Sequence, residues 1–170
     1  MPEVTEQASP PRPRRGMLGF YVAGFVFLGL VGLCAWLWTP IRILYWETKV
    51  TRAGAEGDGY SASAAAVELV RIGPAARPAI RRLLRSATPG LRWDMLTGIR
   101  DANQKWVVAE VVDSCRDEQD GKILGFAASV MRHLVGITLS ARSEETAALR
   151  RQILDWWERE GKAKYGEGGK

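Results

Sequence analysis

The sequence is poor in the residues from which most enzyme and metal sites are built. Among its 170 residues are one histidine, His133, and two cysteines, Cys34 and Cys115. The histidine has no Cys, Asp or Glu at ligand spacing, and the two distant cysteines cannot form a disulfide framework. No G-x-S-x-G elbow, phosphate-binding glycine loop or EF-hand spacing occurs either. We therefore predict that the protein is not an enzyme and has no catalytic residue, metal site or cofactor.

A strong excess of charge of one sign is also missing. The formal net charge is +5, with 24 basic and 19 acidic side chains. This balance is too mild to require a nucleic-acid partner. We predict a protein partner, whose identity the sequence leaves open together with the oligomeric state.

Charge is wholly absent from residues 17–38. At about 1.5 Å of rise per residue, a helix of this length covers the roughly 30 Å hydrocarbon core of a bilayer. The run is longer than the apolar part of a signal peptide, and no small-x-small cleavage pattern follows it. Leu33 occupies the position before Cys34 where a lipoprotein requires a small residue. We predict a retained single-pass transmembrane helix, with a cleaved signal or a lipoprotein as the alternatives.

Aromatic and basic residues cluster at the C-terminal end of this segment, as is typical of a membrane interface. Thr39 and Pro40 resemble an N-cap and a first-turn proline, which predicts a second, juxtamembrane helix. Continuation of the first helix with a proline kink is the alternative. The predicted membrane-interface residues are Trp36, Trp38, Arg42, Tyr45 and Trp46.

Basic residues near the ends of the span bear on its orientation. Three arginines lie between residues 12 and 15, and a looser set of cations follows the span. Because basic flanks tend to stay in the cytoplasm, we predict a cytoplasmic N-terminus and an extracytoplasmic C-terminal domain. The opposite orientation is the alternative.

Composition divides the chain into five parts. We predict a disordered, basic and Pro-rich tail over residues 1–16, the transmembrane helix over 17–38, and a juxtamembrane helix with a Gly-rich linker over 39–60. A helical domain then covers 61–165, and 166–170 form a second disordered tail. The flexible part of the linker is placed at Ala53–Gly59.

Apolar residues recur three and four positions apart through residues 61–160, which predicts six amphipathic helices and an all-α fold. Residues 106–112 are rich in β-branched side chains, so a strand is the alternative there, but their place between helices favours a helix. The predicted boundary residues are Gly73, Pro74, Thr88, Pro89, Asn103, Gly136, Ser143 and Gly161.

The segment Leu69–Ala87 resembles the centre of a HEAT repeat, in which one helix ends in Ile-Gly, a proline-bearing turn follows, and a second helix begins with small residues before Leu-Leu. Phe126–Gly136 and residues 153–166 resemble the closing unit of many bacterial HEAT-repeat chains. The resemblance implies a short α-solenoid of about three antiparallel helix pairs, whose core ends at Trp156 and Trp157. A plain six-helix bundle is the alternative. The matching residues are Ile72, Gly73, Pro74, Ala75, Ala76, Pro78, Ile80, Leu83 and Leu84.

One basic stripe is the best candidate for a binding surface. Arg77, Arg81 and Arg85 recur every four residues and so share a helix face, with Arg82 beside them. In HEAT proteins the second helix of a pair lines the inner surface. The resemblance therefore implies that these arginines lie on the inner surface. The alternative is a solvated face whose arginines are balanced by acids elsewhere in the fold.

These features predict a membrane-anchored HEAT-like module for protein interaction or scaffolding. A structural subunit or assembly factor of a larger membrane complex is the first alternative. A lyase-type enzyme is the second, because short HEAT-like repeats occur in some chromophore-attaching lyases. The membrane anchor argues against the lyase, which would act in solution.

Overall fold

The computed structural model describes residues 15–140 and 145–166, and every regular element in those ranges is helical. The prediction of an all-α fold is confirmed for them. The tails predicted for residues 1–16 and 166–170 lie largely outside the described residues, as does the predicted start of the last helix at Ser143. The helices are α1 Arg15–Ala55, α2 Gly59–Arg71, α3 Arg77–Leu84, α4 Pro89–Ala102, α5 Val108–Cys115, α6 Gly121–Val135, α7 Thr146–Trp156 and α8 Lys162–Tyr165.

Three short turns of other helix types lie between these helices in the described ranges. One turn of 3-10 helix, Pro74–Ala76, leads into α3, and a second, Lys105–Val107, leads into α5. A π-helical turn, Trp157–Gly161, joins α7 to α8. Residues 106–112 are therefore helical, so the strand alternative for that segment is wrong.

Helix α1 continues through Pro40 without interruption. The separate juxtamembrane helix predicted to begin at Thr39 is therefore wrong, and the alternative of one continuous helix holds. The chain divides within α1 into two units, the first ending at Trp38 and the second beginning at Thr39.

Side chains are described in α1 from Val26 onward, with the exception of Leu28, Ala35 and Trp36. Among the described residues, no helix has the length and the apolar character needed to cross a bilayer. At many positions of the span predicted for residues 17–38, including 17–25, the side chains are not among those that the structure describes. The span therefore stays a prediction.

The connection between α1 and α2 is a short turn, Glu56–Asp58, because α1 extends to Ala55 and α2 begins at Gly59. The Asp58 backbone N–H donates to the Ala53 carbonyl at 2.9 Å, and the Asp58 carboxylate accepts from the Ser61 backbone N–H at 3.0 Å. The sequence had predicted a flexible linker over Ala53–Gly59. Most of these residues instead belong to α1 or α2, and the Asp58 N-cap fixes the short turn between the two helices.

Positive φ angles at three predicted boundary residues mark the ends of helices where expected. Gly73 has φ of 96°, Asn103 has φ of 51° and Gly136 has φ of 72°. These conformations suit glycine and asparagine and stop the α-helical path. Thr88 precedes α4, whose first residue is Pro89, as predicted.

Gly161 does not end the last helix, which continues through the π-helical turn into α8. A Cβ on Gly161 would lie 2.6 Å from Trp157 Cε3 and 2.8 Å from Trp156 Cζ3. The glycine is therefore required for the close approach of two indole rings, and the termination predicted from its residue type is wrong.

The six helices α2 to α7 pack in an alternating order. Helix α4 lies against α2 and α6, while α5 lies against α3 and α7. Helices α2, α4 and α6 thus contact one another in sequence and are called the first layer, and α3, α5 and α7 do the same and are called the second layer. The largest fully buried apolar side chains of this core are Leu69, Ile80, Met95, Leu96, Ile99, Leu124, Met131 and Ile153.

Candidate functional site

The short helix α3 presents arginines on one face and a core-forming surface on the other. Ala79, Ile80, Leu83 and Leu84 are buried in the domain core. The remaining long side chains of α3 and its C-cap are arginines, because a four-residue spacing keeps them on the opposite side of the helix. The arginines in question are Arg77, Arg81, Arg82 and Arg85.

Two of these arginines converge on one buried carboxylate. Glu110 of α5 is only 1% exposed, and it is the one charged side chain buried to that degree among the described residues. Its Oε1 lies 3.4 Å from Arg77 Nε and 3.2 Å from Arg81 Nη2. The Arg77 guanidinium also lies 5.9 Å from the centroid of the Trp106 ring. Glu110 thus joins α3 to α5 within the second layer.

The other two arginines of the stripe pair with acids on two different helices, α5 and α1. Arg85 Nη2 lies 2.6 Å from an Asp113 carboxylate oxygen on α5. Arg82 forms a bidentate pair with Glu47 of α1, at 2.9 and 2.8 Å. A fork-to-fork pair of this kind fixes the orientation of both side chains.

All four arginines of the predicted stripe are therefore paired with acids, which is the arrangement of the balanced-face alternative. Arg82 and Arg85 nevertheless keep more than half of their side-chain surface exposed. Exposed pairs contribute only about 0 to 1 kcal/mol, whereas the bidentate pair of Arg82 with the largely buried Glu47 is held more firmly. Use of the stripe by a binding partner stays a prediction.

A second buried ion pair was not predicted from the sequence. Arg92 Nε lies 2.9 Å from Glu118 Oε2, and both side chains are largely buried. Arg92 also donates to the Ser86 carbonyl at 2.7 Å, while Arg150 donates to the Glu118 carbonyl. These bonds tie the α3–α4 turn, the α5–α6 turn and α7 together. The sequence around Glu118 indicates only a polar turn, so it gives no sign of this burial.

The predicted membrane-interface residues occupy different environments. Trp38 and Tyr45 are exposed, and Arg42 is half-buried. Trp46 is half-buried against the domain core, with its ring at 5.0 Å from that of Tyr45. The Lys49 ammonium lies over both rings. The side chain of Trp36 lies outside the described residues.

The described residues offer no group of three His, Cys, Asp or Glu side chains placed to hold a metal ion. His133 is exposed on α6. Burial raises the pKa of the Cys115 thiol to about 12, so this side chain stays protonated at neutral pH. Because the thiolate is the reactive species, Cys115 is suited to packing rather than to nucleophilic chemistry.

No family model, curated protein or solved structure matches this chain. The HEAT resemblance of Leu69–Ala87 therefore stays a resemblance. The described residues form an ion-paired face on α3 and α5 and a tightly packed helical core, and any function must use these features.

Proposed function

We propose that the chain is a membrane-anchored HEAT-like module that binds another protein and performs no catalysis. The alternating packing order of α2 to α7 carries this proposal, because stacked pairs present long, regular helix faces to a partner. The turn between α2 and α3 supports the HEAT-like part. Gly73 adopts a positive φ there and Pro74 begins the 3-10 turn, at the positions that carry the sequence resemblance.

Apolar side chains on α1 support the membrane anchor. In water, a contiguous exposed apolar surface is costly and marks a contact with lipid or protein. The proposed span is residues 17–38, with a cytoplasmic N-terminus and an extracytoplasmic domain. Its exposed large apolar side chains are Val26, Phe27, Leu30, Val31, Leu33, Leu37 and Trp38.

Extraction experiments test the anchor on the full-length chain. We expect the protein to remain with vesicles after an alkaline carbonate wash. A variant with Phe27→Arg and Leu30→Arg should be released, because two guanidinium groups in the hydrocarbon core oppose insertion. Release of the wild-type chain would refute the anchor.

Orientation is tested by thiol labelling of the same full-length protein. Ala55 is exposed at the end of α1, so Ala55→Cys on a Cys34→Ser background offers one accessible thiol. Cys115 is buried and remains silent in folded protein. A membrane-impermeant maleimide should label Ala55→Cys in intact cells, whereas labelling only after lysis would reverse the proposed orientation.

The arginine stripe is the proposed contact with an acidic segment of the partner, through Arg82 and Arg85. A photo-crosslinking residue placed at Arg82 should yield one discrete adduct in membranes, while the same residue at the exposed Arg132 of α6 should not. Combining Arg85→Asp with Asp113→Arg keeps an opposite-charge pair between α3 and α5 while reversing its direction, and it exchanges the longer 3.7 Å pair of Asp113 with Arg116 for two like charges. Loss of the adduct in this variant supports the stripe, and an unchanged adduct removes the stripe from the interface.

A structural subunit of a larger membrane complex is the second candidate. Ile41 and Leu44 of α1 favour it, because these apolar side chains lie beyond the proposed span and are exposed. Native electrophoresis in mild detergent separates the two functions. A subunit would migrate constitutively with a much larger assembly, whereas an interaction module would also be recovered alone.

A further inference from the structure

A groove of about 580 Å³ runs between α2 and α4, in the layer opposite the arginine stripe. Helix α2 supplies Tyr60, Ser63 and Val67, and α4 supplies Trp93 and Thr97 to its walls. The wall residues recur three or four positions apart on each helix, so one face of each helix borders the groove. The helices are held at a fixed, close spacing by Gly98, whose added Cβ would lie 2.4 Å from Ala66 Cβ.

Two of the groove's side chains are aromatic and unusually open to solvent. Tyr60 is 87% exposed and Trp93 is 42% exposed. The Trp93 ring stacks on Phe126 of α6, with ring centroids 4.1 Å apart and an interplanar angle of 13°. This stacking orients the indole, so a rigid aromatic surface is available before any ligand arrives.

The charged residues of the groove wall are all acidic. They are Glu68, Asp94 and Asp101, on a chain whose net charge is +5. Glu68 and Asp101 form exposed pairs with the neighbouring Arg71 and Arg100. Asp94 has no ion-pair partner among the described residues.

Asp94 lies close to the start of α2, where its Oδ1 is 3.1 Å from the position of a Cβ built on Gly59. Burial, and then the negative charge of Asp58, raise the pKa of the Asp94 carboxyl group above its usual range. A cation in the groove would relieve both effects, because it would replace lost hydration and offset the nearby negative charge.

We propose that this groove binds a Lys- or Arg-bearing segment of a partner protein, with one cationic side chain between the Asp94 carboxylate and the rings of Tyr60 and Trp93. Aromatic faces and carboxylates both attract such a cation, and a guanidinium group can stack on a ring while donating hydrogen bonds in its own plane. The inference goes beyond the proposed function, since it requires neither the membrane anchor nor the arginine stripe.

Charge complementarity selects a basic segment as the occupant, because every charged residue of the groove wall is acidic. In a second copy of the chain, the exposed arginines of α3 would first have to exchange Glu47 and Asp113 for the groove. A basic segment of another protein meets the unpaired Asp94 and the two exposed rings at once.

Fluorine NMR on the full-length chain in neutral detergent tests the proposal. The seven tryptophans are replaced biosynthetically by fluorotryptophan, and the Trp93 resonance is assigned with Trp93→Phe, which preserves an aromatic ring against Phe126. The probe is the blocked peptide Gly-Arg-Gly-Arg-Gly, and the control peptide has Glu in place of Arg. We expect the arginine peptide alone to shift the Trp93 resonance in a saturable manner.

Variants then locate the cation. Asp94→Asn should weaken the affinity for the arginine peptide about tenfold, because a tenfold change corresponds to the loss of one charge-assisted contact of about 1.4 kcal/mol. The matched control Asp117→Asn removes an exposed acid outside this groove and should leave the affinity unchanged. Tyr60→Ala, at a highly exposed position that the fold does not need, should weaken binding as well.

Three results would overturn the proposal. They are a Trp93 resonance that stays unmoved at millimolar arginine peptide, equal affinity of Asp94→Asn and wild type, and an equal response to the glutamate peptide. Light scattering of the peptide-free protein adds a fourth, because an Asp94-dependent dimer would assign the groove to a second copy. None of these results bears on carbonate extraction or on crosslinking from Arg82.

Discussion

Gly98 of α4 lies so close to Ala66 of α2 that an added Cβ would come within 2.4 Å of the alanine Cβ. The same atom would lie 2.9 Å from the Ser63 carbonyl oxygen and from the Ala66 carbonyl carbon. Backbone atoms cannot rotate away as a flexible side chain can, so the absence of a side chain at Gly98 sets the spacing of these two helices.

We predict that Gly98→Ala destabilises the domain. Forcing one methyl group into a packed contact costs about 1 to 3 kcal/mol, and the better helix propensity of alanine returns about 1 kcal/mol. Because two of its close contacts are with backbone atoms at 2.9 Å, we expect the upper end of this cost and therefore a net loss of about 2 kcal/mol in urea unfolding followed by circular dichroism. Gly90→Ala is the matched control, because nothing lies within 4 Å of its added Cβ. Equal stability of the two variants would contradict this account.

The helices of this domain were predictable because their boundary residues act locally. Gly73, Asn103 and Gly136 end helices through their own backbone conformation, which depends little on the rest of the fold. The role of Gly161 was not predictable, because two indole rings packed against it decide that role. The N-cap at Asp58 was missed although its signal is local, because Asp58 lies within a Gly-rich stretch that is typical of a flexible linker.

The sequence also placed the arginines of the stripe on one helix face, but it did not identify their partners. The spacing of Arg77, Arg81 and Arg85 determines a shared helix face, whereas the positions of Glu110 and Glu47 depend on tertiary packing. A single glutamate inside the apolar run of residues 106–112 was the available signal for a buried ion pair. Sequence alone does not show which helix supplies the cations.

We predict that Glu110→Gln destabilises the domain far more than the loss of an exposed pair does. Arg77 and Arg81 would face a neutral amide in a site where Glu110 itself is 1% exposed. Removing one partner of a buried pair costs about 3 to 5 kcal/mol, and the partial exposure of both arginines reduces our expectation to about 2 kcal/mol.

Asp113→Asn is the control for Glu110, because it removes the acid from two more exposed pairs, with Arg85 and Arg116. We expect this control to cost less than about 1 kcal/mol. Urea unfolding at neutral pH measures both variants. A similar loss from the two substitutions would show that Glu110 is not the stronger link between α3 and α5.

Stability at alkaline pH should depend on Cys115. Burial raises the pKa of this thiol from 9.0 to about 12 in the folded protein. The protonated thiol therefore contributes stability that is complete below the unfolded pKa and is lost as pH rises toward the folded pKa. Between about pH 8 and about pH 10, the wild type should lose about 1.4 kcal/mol more than Cys115→Ala loses. Parallel pH profiles of the two proteins, measured by urea unfolding with reductant, would contradict the prediction.

Asp94 should lower the stability of the folded protein at neutral pH. Burial and the nearby Asp58 raise the pKa of the Asp94 carboxyl group above 3.8 in the folded state. The protonated Asp94 carboxyl group therefore stabilises the folded protein fully below about pH 3.8, and this stabilisation is lost as pH rises through its pKa in the folded protein. At pH 7 the ionised carboxylate opposes folding, so Asp94→Asn should stabilise the protein at pH 7 and not at pH 3. Water screens this half-buried group, which limits the expected gain to about 0.3 to 0.5 kcal/mol.

The gain from Asp94→Asn should shrink when Asp58→Asn is already present, because one source of the raised pKa is then gone. Thermal unfolding of the four proteins of this double-mutant cycle measures the coupling. A loss of stability in Asp94→Asn at pH 7 would show that the carboxylate has a structural partner. A gain in stability together with weaker binding of the arginine peptide would mean that Asp94 opposes folding and favours a cationic ligand, as expected of a recognition residue.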